Sequence, residues 1–361
     1  MALPKHGVGI IKEILYKLNP LRINNYMLNS KKDFQFINSI SGGFVQSRIL
    51  QVAIKLGIFD TINKRRVSSI NIAKILKLNP RATEIFLNAL VAMRLLSKMN
   101  GEYLNTELSS KYLEKKSPIY FGDMILFEHN LWDIWWKLEE SLRTGKPSRT
   151  PDMFQGDKKE TERFIMAMHS LVKSRGDAWI MNEIIDLSWA KTMIDIGSGP
   201  GSYPIEFLKK YPDLKVTIYD LPGTIRVTKR VLETEGMLGK MELIEGDYKK
   251  NKLPKGFDIA FLSNIIHSEV EQTNKQLMKD IYKILNPGGK IIIKDHIMDE
   301  DLTRPGFGAI FSINMLLSTR GRDYSLKEIR SWLKDTDFIR IKRIKLPKPL
   351  NSSLVIALKR A

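Results

Sequence analysis

Apolar residues change their spacing partway along this chain. Up to about residue 190 they recur at helical intervals, and from Lys191 short apolar runs alternate with amphipathic stretches. In the first thirty residues Ile10, Ile11, Ile14, Leu15 and Leu18 share one helical face, with Lys12, Glu13 and Lys17 off it. This predicts an N-terminal extension over residues 1–30 containing an amphipathic helix. Such a helix can rest on a membrane as a peripheral contact, or it can pack on its own domain or a second copy.

Residues 31–118 read as a compact helical unit. One helix is predicted over Phe44–Phe59, with Ile49, Val52, Ala53 and Leu56 on one face. Ser68 is placed to cap a short helix over Ser69–Leu76, and Pro80 to open another that runs to Leu96. Asn100-Gly101 then marks a tight turn between the strands Leu95–Met99 and Tyr103–Asn105. Three helices followed by a hairpin is the order of a winged helix. Residues 119–190 form a helical, aromatic connector in which Trp132, Trp135 and Trp136 lie close together and Met166, Met168 and His169 follow on a later helix. Trp and Met at this spacing pack a core, and the position between two domains also suits a pocket.

In residues 191–361 the strand-like runs are Thr192–Ile196, Val216–Tyr219, Met241–Ile244, Phe257–Ser263 and Lys290–Lys294, separated by helical stretches. Parallel strands joined by crossover helices follow from that alternation. Phe338–Ile344 and Ser353–Leu358 have no helix between them and should form an antiparallel hairpin at one edge. The predicted fold class is therefore α/β, a Rossmann-like domain preceded by an α-helical winged-helix unit.

Composition narrows the chemistry. The 361 residues include no cysteine, which removes disulfides, thiolate nucleophiles and cysteine-zinc sites. Five histidines are scattered without helical ligand spacing, so no metal is expected. No apolar run approaches the ~18 residues of a membrane span, and charges interrupt the N-terminal apolar stretch, so it does not read as a secretory signal. The expected location is cytoplasmic, with membrane contact only if the N-terminal helix makes it. The net charge is +18, with its densest basic stretch in Arg340–Ala361. Such a balance suits either a solvated lysine-rich surface or an anionic partner.

The run Met193-Ile-Asp-Ile196 leads into Gly197, Gly199 and Gly201, and a helix follows from Tyr203. Glycines there let the chain turn sharply and a ligand approach the backbone. About 20 residues on, a strand ends in Asp220, which can accept both ribose hydroxyls. Dinucleotide loops favour Gly-x-Gly-x-x-Gly around a pyrophosphate. Here the spacing is Gly-x-Gly-x-Gly behind Asp195, which would repel a phosphate and can hold an ammonium. S-adenosyl-L-methionine has an ammonium and no phosphate. Asp247 is placed to accept from an adenine amine and Tyr248 to flank the ring, with Leu221 and Asn264 at neighbouring strand ends completing the cofactor set. Strand Phe257–Ser263 runs into His267, which can take a proton from an attacking hydroxyl. Asp295 ends the next strand and can orient the imidazole. Phe311, Asn314 and Met315 are spaced to line a pocket, together with Trp132 and Met168.

Taken together, these residues resemble the S-adenosylmethionine-dependent small-molecule O-methyltransferases, the group that includes caffeic acid and hydroxyindole O-methyltransferases and bacterial relatives in pigment and polyketide pathways. The resemblance spans about residues 35–360. In the front half it is carried by Gln51-Val-Ala-Ile-Lys-Leu-Gly-Ile-Phe-Asp60 and Asn79-Pro-Arg-Ala-Thr83. It implies a winged helix that makes an intertwined homodimer and closes one wall of the substrate pocket. It also implies His267 as the general base, Asp295 as its acid partner, and Asp323 as a second acid. Both acids are usually Glu in the family, and Ser268-Glu269 stands where many relatives have Asp-Trp. The implied acceptor is a hydroxylated, aromatic or polycyclic small molecule. Two other readings stand beside this one. A winged-helix DNA-binding regulator would need base-reading residues on the Pro80–Leu96 helix, where only Arg81, Asn88 and Arg94 present themselves, so no nucleic acid is expected. A family relative with altered chemistry would not need to retain His267.

Overall fold

The computed structural model describes residues 20–361, with side chains from residue 31 onward. The amphipathic stretch expected around residues 10–18 lies outside the described residues. The first element is a single helix, Pro20–Leu56. It passes straight through the boundary expected at residue 30, because Asn24, Asn25, Asn29 and Ser30 weaken helical propensity without breaking the helix. It stops at Gly57, whose φ of 72° is left-handed, and a short helix Ile58–Ile62 follows, so the expected Phe44–Phe59 helix is split near its end.

The next residues form the winged-helix unit. Ser68 Oγ accepts from Asn71 N and caps helix Ser69–Leu76. Asn79 caps helix Pro80–Ala92, which ends earlier than Leu96 because Arg94 turns left-handed. Strands β1 (Val67–Ser68), β2 (Leu96–Met99) and β3 (Glu102–Asn105) make an antiparallel sheet in the order β1-β3-β2. Asn100 and Gly101 both take positive φ at the β2–β3 turn, as a tight hairpin requires. Ile58, Phe59, Ile72, Leu87, Leu90 and Tyr103 fill this unit's core.

Helices including Gly122–His129, Trp132–Trp136 and Lys158–Arg175 lead to the larger sheet. Its strands are β4 (Thr192–Ile196), β5 (Lys215–Asp220), β6 (Glu242–Glu245), β7 (Phe257–Ser263), β8 (Leu285–Asp295), β9 (Ile339–Lys345) and β10 (Ser353–Leu358). Their order is β6-β5-β4-β7-β8-β10-β9. The first five are parallel, and β10 runs antiparallel to both β8 and β9. Both faces are covered: Ile218, Phe207 and Phe261 pack on one side, and Ile194, Leu262, Ile293 and Trp332 on the other. That is why these strands read as continuous apolar runs rather than alternating ones. Among the described residues no helix is long and apolar enough to cross a membrane.

Candidate active site

Strand order reverses between the parallel neighbours β4 and β7, and there the carboxyl ends of the strands open a crevice. Gly197, Gly199 and Gly201 all have positive φ in the loop leaving β4. A Cβ at Gly197 would fall 2.3 Å from Ile265 Cδ1, so this position needs glycine for space as well as for conformation. Asp195 is buried at the end of β4. Its Oδ2 accepts from Ser198 Oγ at 2.7 Å, while Oδ1 is buried without a partner. Burial, moderated by the Ser198 hydrogen bond, pushes its carboxyl up to about 7. An orphaned carboxylate oxygen facing a glycine loop is a vacancy in hydrogen bonding that an ammonium fits.

Asp220 ends β5. Its oxygens accept from the backbone N–H groups of Gly199 at 2.7 Å and Leu221 at 2.6 Å, and burial raises it to about 6 despite them. Each oxygen keeps a lone pair for a diol. Leu221 precedes the helix Pro222–Thr234. Gly246 N donates to Asp220 O, which brings the β6 end alongside. Asp247 Oδ1 there accepts from Lys249 N within its own turn, and Tyr248 Oη donates to Glu269. Asn264, left-handed at φ 58°, has a buried and unpartnered Oδ1 beside the same loop.

The chemical groups sit at the ends of β7 and β8. His267 lies on a single turn of 3-10 helix and is buried. Its Nδ1 is 2.6 Å from Asp295 Oδ1, a contact between residues 28 apart in sequence. Burial pulls the imidazole's affinity for protons down, but Asp295 outweighs it and the net shift is upward. Asp295 shows the reverse balance: burial pushes its carboxyl up, and His267 together with a 2.8 Å hydrogen bond from His296 N brings it below its ordinary value. Asp323 is also buried, yet its Oδ1 is nearer His296 Nδ1, at 3.4 Å, than His267 Nδ1, at 4.0 Å. The two imidazoles lie nearly parallel, 8° apart, with centroids separated by 5.8 Å.

Phe311, on helix Gly306–Ser318, meets both rings edge-on at 5.2 and 4.8 Å. Met315 and Asn314 follow on that helix, Met315 buried and Asn314 Oδ1 unpartnered. Helix Trp132–Trp136 packs against it, while the Trp132 indole donates to Gln51 of the long first helix at 2.6 Å. Met168 is partly buried and packs against a separate cluster with Phe127, Phe154 and Ala167.

Sequence reasoning missed His296, although it directly follows Asp295. Periodicity cannot show that a loop from residues 320–323 will fold over it. It also missed Lys294, fully buried on the opposite face of β8 and 3.6 Å from Asp177 Oδ2. Where the sequence offers no metal spacing, the fold gathers donor atoms of His267, Asp295, His296 and Asp323 within 4.8 Å of one another. Two of those donors are already committed to the short His267–Asp295 hydrogen bond.

A glycine loop between two acidic strand ends, beside a buried histidine–carboxylate pair on a Rossmann-like sheet, defines an S-adenosylmethionine-dependent methyltransferase. The comparisons agree. Residues 144–339 match the profile of the O-methyltransferase domain and residues 38–115 that of the O-methyltransferase dimerisation domain. The first match covers more than half of the chain, and the chain belongs to this O-methyltransferase family. It is 28% identical over 330 residues to 3-hydroxy-5-methyl-1-naphthoate 3-O-methyltransferase of Streptomyces sahachiroi, covering 90% of this chain and 94% of that one. It is 29% identical over 311 residues to acetylserotonin O-methyltransferase of Macaca mulatta, covering 80% and 88%. Human N-acetylserotonin methyltransferase, solved with S-adenosylmethionine, superposes with a TM-score of 0.82 at 25% identity, over 91% of this chain and 98% of that one.

Proposed function

We propose that this enzyme methylates a hydroxyl of a small aromatic or polycyclic molecule, with His267 removing the hydroxyl proton. The observation that carries this is the buried 2.6 Å His267–Asp295 pair at the mouth of the cofactor crevice. Asp195 holds the cofactor's ammonium and Asp220 its ribose, with Gly197, Gly199, Gly201 and Leu221 shaping the backbone around it. Asp247, Tyr248 and Asn264 line the adenine side and the inner wall. Bound S-adenosylmethionine supplies a methyl group on a positively charged sulfur, which needs little further activation. His267 therefore acts on the acceptor. Nδ1 is held by Asp295, which leaves Nε2 to accept the proton as the oxygen attacks. Phe311, Met315 and Asn314 form one wall of the acceptor pocket, and Trp132 and Met168 stand behind it.

Relatives named for a hydroxynaphthoate and for acetylserotonin support an aromatic hydroxyl as acceptor. The DNA-regulator reading has no comparable support, and retention of His267 with its acid speaks against altered chemistry. The dimerisation match and an exposed apolar stripe on the first helix, Phe34, Ile37, Ile40 and Phe44, support a homodimer through residues 31–118 and part of 119–190. We keep the division into 1–30, 31–118, 119–190 and 191–361 as part of this reading, although the first helix, Pro20–Leu56, crosses residue 30. The test is methyl transfer from labelled S-adenosylmethionine to a panel of hydroxyarenes, with His267→Ala as control. Label transfer only to amines or carbon, or equal transfer by the variant, would count against this reading.

A further inference from the structure

We propose that Glu269 is a positioning residue for the cofactor: its side chain straps the loop after β6 to the turn that carries His267, and so closes the adenine end of the crevice. This rests on the reading of Tyr248 as a residue on the adenine side. Glu269 stands where many relatives have the Trp of an Asp-Trp pair, so its carboxyl belongs to this chain rather than to the family pattern.

The strap spans a gap that the sheet leaves open. In the order β6-β5-β4-β7 the ends of β6 and β7 stand three strands apart, roughly 14 Å at ~4.8 Å per strand. Yet Glu269 Oε1 accepts from Tyr248 Oη at 2.9 Å and from Lys249 Nζ at 2.8 Å, both in the loop after β6. Each anchor is itself fixed. On the β7 side Tyr324 Oη donates to Glu269 O at 2.7 Å, and Asn274 Nδ2 donates to Ile266 O at 2.8 Å. On the β6 side Asp247 closes its own turn. Its backbone oxygen accepts from Lys250 N and Asn251 N at 2.8 Å, and its N–H donates to Asn251 Oδ1 at 2.9 Å. A pull on Tyr248 therefore sets the whole turn.

Burial makes the strap hold. Glu269 is buried, while Lys249 is exposed. Burial, with Glu269 beside it, raises the Tyr248 phenol well above its ordinary value, so the hydroxyl keeps its proton and donates. Two donors on one buried carboxyl oxygen hold better than an exposed ion pair, because water competes poorly there. Tyr248 and Ile265 pack on the same apolar cluster, and Ile265 Cδ1 is the atom that a Cβ at Gly197 would strike. The ring that Glu269 holds thus shares a wall with the glycine loop. With the strap closed, that ring is already in place when adenine arrives. With it broken, the ring and its turn must be ordered on binding, which costs affinity.

Release of radiolabelled S-adenosylhomocysteine from the full chain tests this. Glu269→Ala and Tyr248→Phe should each speed release about tenfold, as loss of one hydrogen bond to a charged group allows. The double variant should release no faster than either single one, because both remove the same contact. Glu269→Gln keeps an acceptor for the phenol and should stay within about threefold of the wild type. In Glu269→Ala the affinity for adenosine, which lacks the amino acid part, should fall by the same factor as that for S-adenosylhomocysteine. A general loosening of the site would weaken the second more, through the glycine loop. Wild-type release in either single variant, effects that multiply in the double one, Glu269→Gln as fast as Glu269→Ala, or a larger loss for S-adenosylhomocysteine than for adenosine overturns the proposal. If Glu269→Ala does not fold, Tyr248→Phe, which keeps the ring, carries the test. Tyr248→Ala separates the strap from the reading beneath it. Weakened binding there, with wild-type release in Glu269→Ala and Tyr248→Phe, would remove the strap and leave Tyr248 beside adenine. Unchanged binding in Tyr248→Ala would remove Tyr248 from the adenine side, and the strap with it.

Discussion

Asp323 Oδ1 lies 3.4 Å from His296 Nδ1, closer than to the His267 it was expected to serve. The loop that delivers it runs against the backbone of His267, where a Cβ at Gly321 would fall 2.1 Å from His267 O. Gly321→Ala must therefore push the loop and Asp323 away from the two imidazoles. We expect a stability loss of about 1–3 kcal/mol, as for overpacking, together with a fall in turnover. Cofactor affinity should be unchanged, because Gly321 lies outside the glycine loop. Calorimetry with S-adenosylmethionine and a denaturant titration separate these effects, and weakened cofactor binding would show that the two sites are coupled.

A second buried ion pair carries a stability prediction. Lys294 and Asp177 are both fully buried, with Tyr203 Oη donating to the same carboxylate at 3.2 Å and Arg175 pairing with it as well. Burial lowers the proton affinity of Lys294, and Asp177 counters this. Asp177→Ala strands a buried ammonium and should cost about 3–5 kcal/mol. Lys294→Met in the same background should recover part of that loss. Urea unfolding of the wild type and the two variants measures it, and a double variant no better than the single one would dismiss the pair as the cause.

The strands were legible because apolar runs buried on two faces leave a plain trace, and β4, β7 and β10 match their expected limits. The glycine loop and Asp220 were legible for a related reason: backbone turns and strand ends impose local residue types. His267–Asp295 needed one step more, adjacency of the ends of β7 and β8. What stayed hidden depends on tertiary placement. Nothing local announces that Arg320–Asp323 folds over His296, or that Lys294 finds Asp177. The start of the first helix was misread, since its apolar stripe from Phe34 to Phe44 faces outward and, among the described residues, its buried positions begin only at Gln51.

That stripe gives a prediction about assembly. Ile37→Glu with Ile40→Glu places charges in the middle of the exposed face of helix Pro20–Leu56. If this face is the homodimer interface, sedimentation should show a dimer for the wild type and a monomer for the variant at micromolar concentration. A dimer in both would move the interface elsewhere.

Cofactor affinity should depend on pH through two carboxyls. Asp195 and Asp220 are raised to about 7 and about 6 by burial, and if they hold the ligand as proposed, each must be ionised to accept its hydrogen bonds. Affinity for S-adenosylmethionine should therefore weaken as pH falls through 7 and then 6, and binding near pH 6.5 should release protons into the buffer. Asp220→Ala should weaken binding by roughly 1.5–3 kcal/mol, as for a charged partner, and remove the lower step. Calorimetry in two buffers of different ionisation enthalpy measures both, and a flat pH profile would take these carboxylates out of the site.

The last prediction concerns the base. If His267 is the general base, its active form has a free Nε2, and protonation stops it. Asp295 raises the imidazole's proton affinity above its ordinary value even against burial. The rate should therefore fall as pH drops through a value above 6.5, the usual histidine figure. Asp295→Asn removes the charge that produces the shift, so its acid limb should move to lower pH while its maximum rate declines through poorer orientation of the ring. His267→Ala should lose about 10²–10⁴ in turnover, the usual contribution of a positioned base, with cofactor affinity intact. The remainder of the acceleration comes from holding oxygen, methyl and sulfur in line, and it should survive in the variant. Raising the pH until the acceptor ionises in solution should rescue His267→Ala toward wild-type turnover, because the missing step is proton removal. A purely structural role for His267 would give no such rescue. Full activity of His267→Ala at neutral pH would mean that the acceptor arrives already ionised.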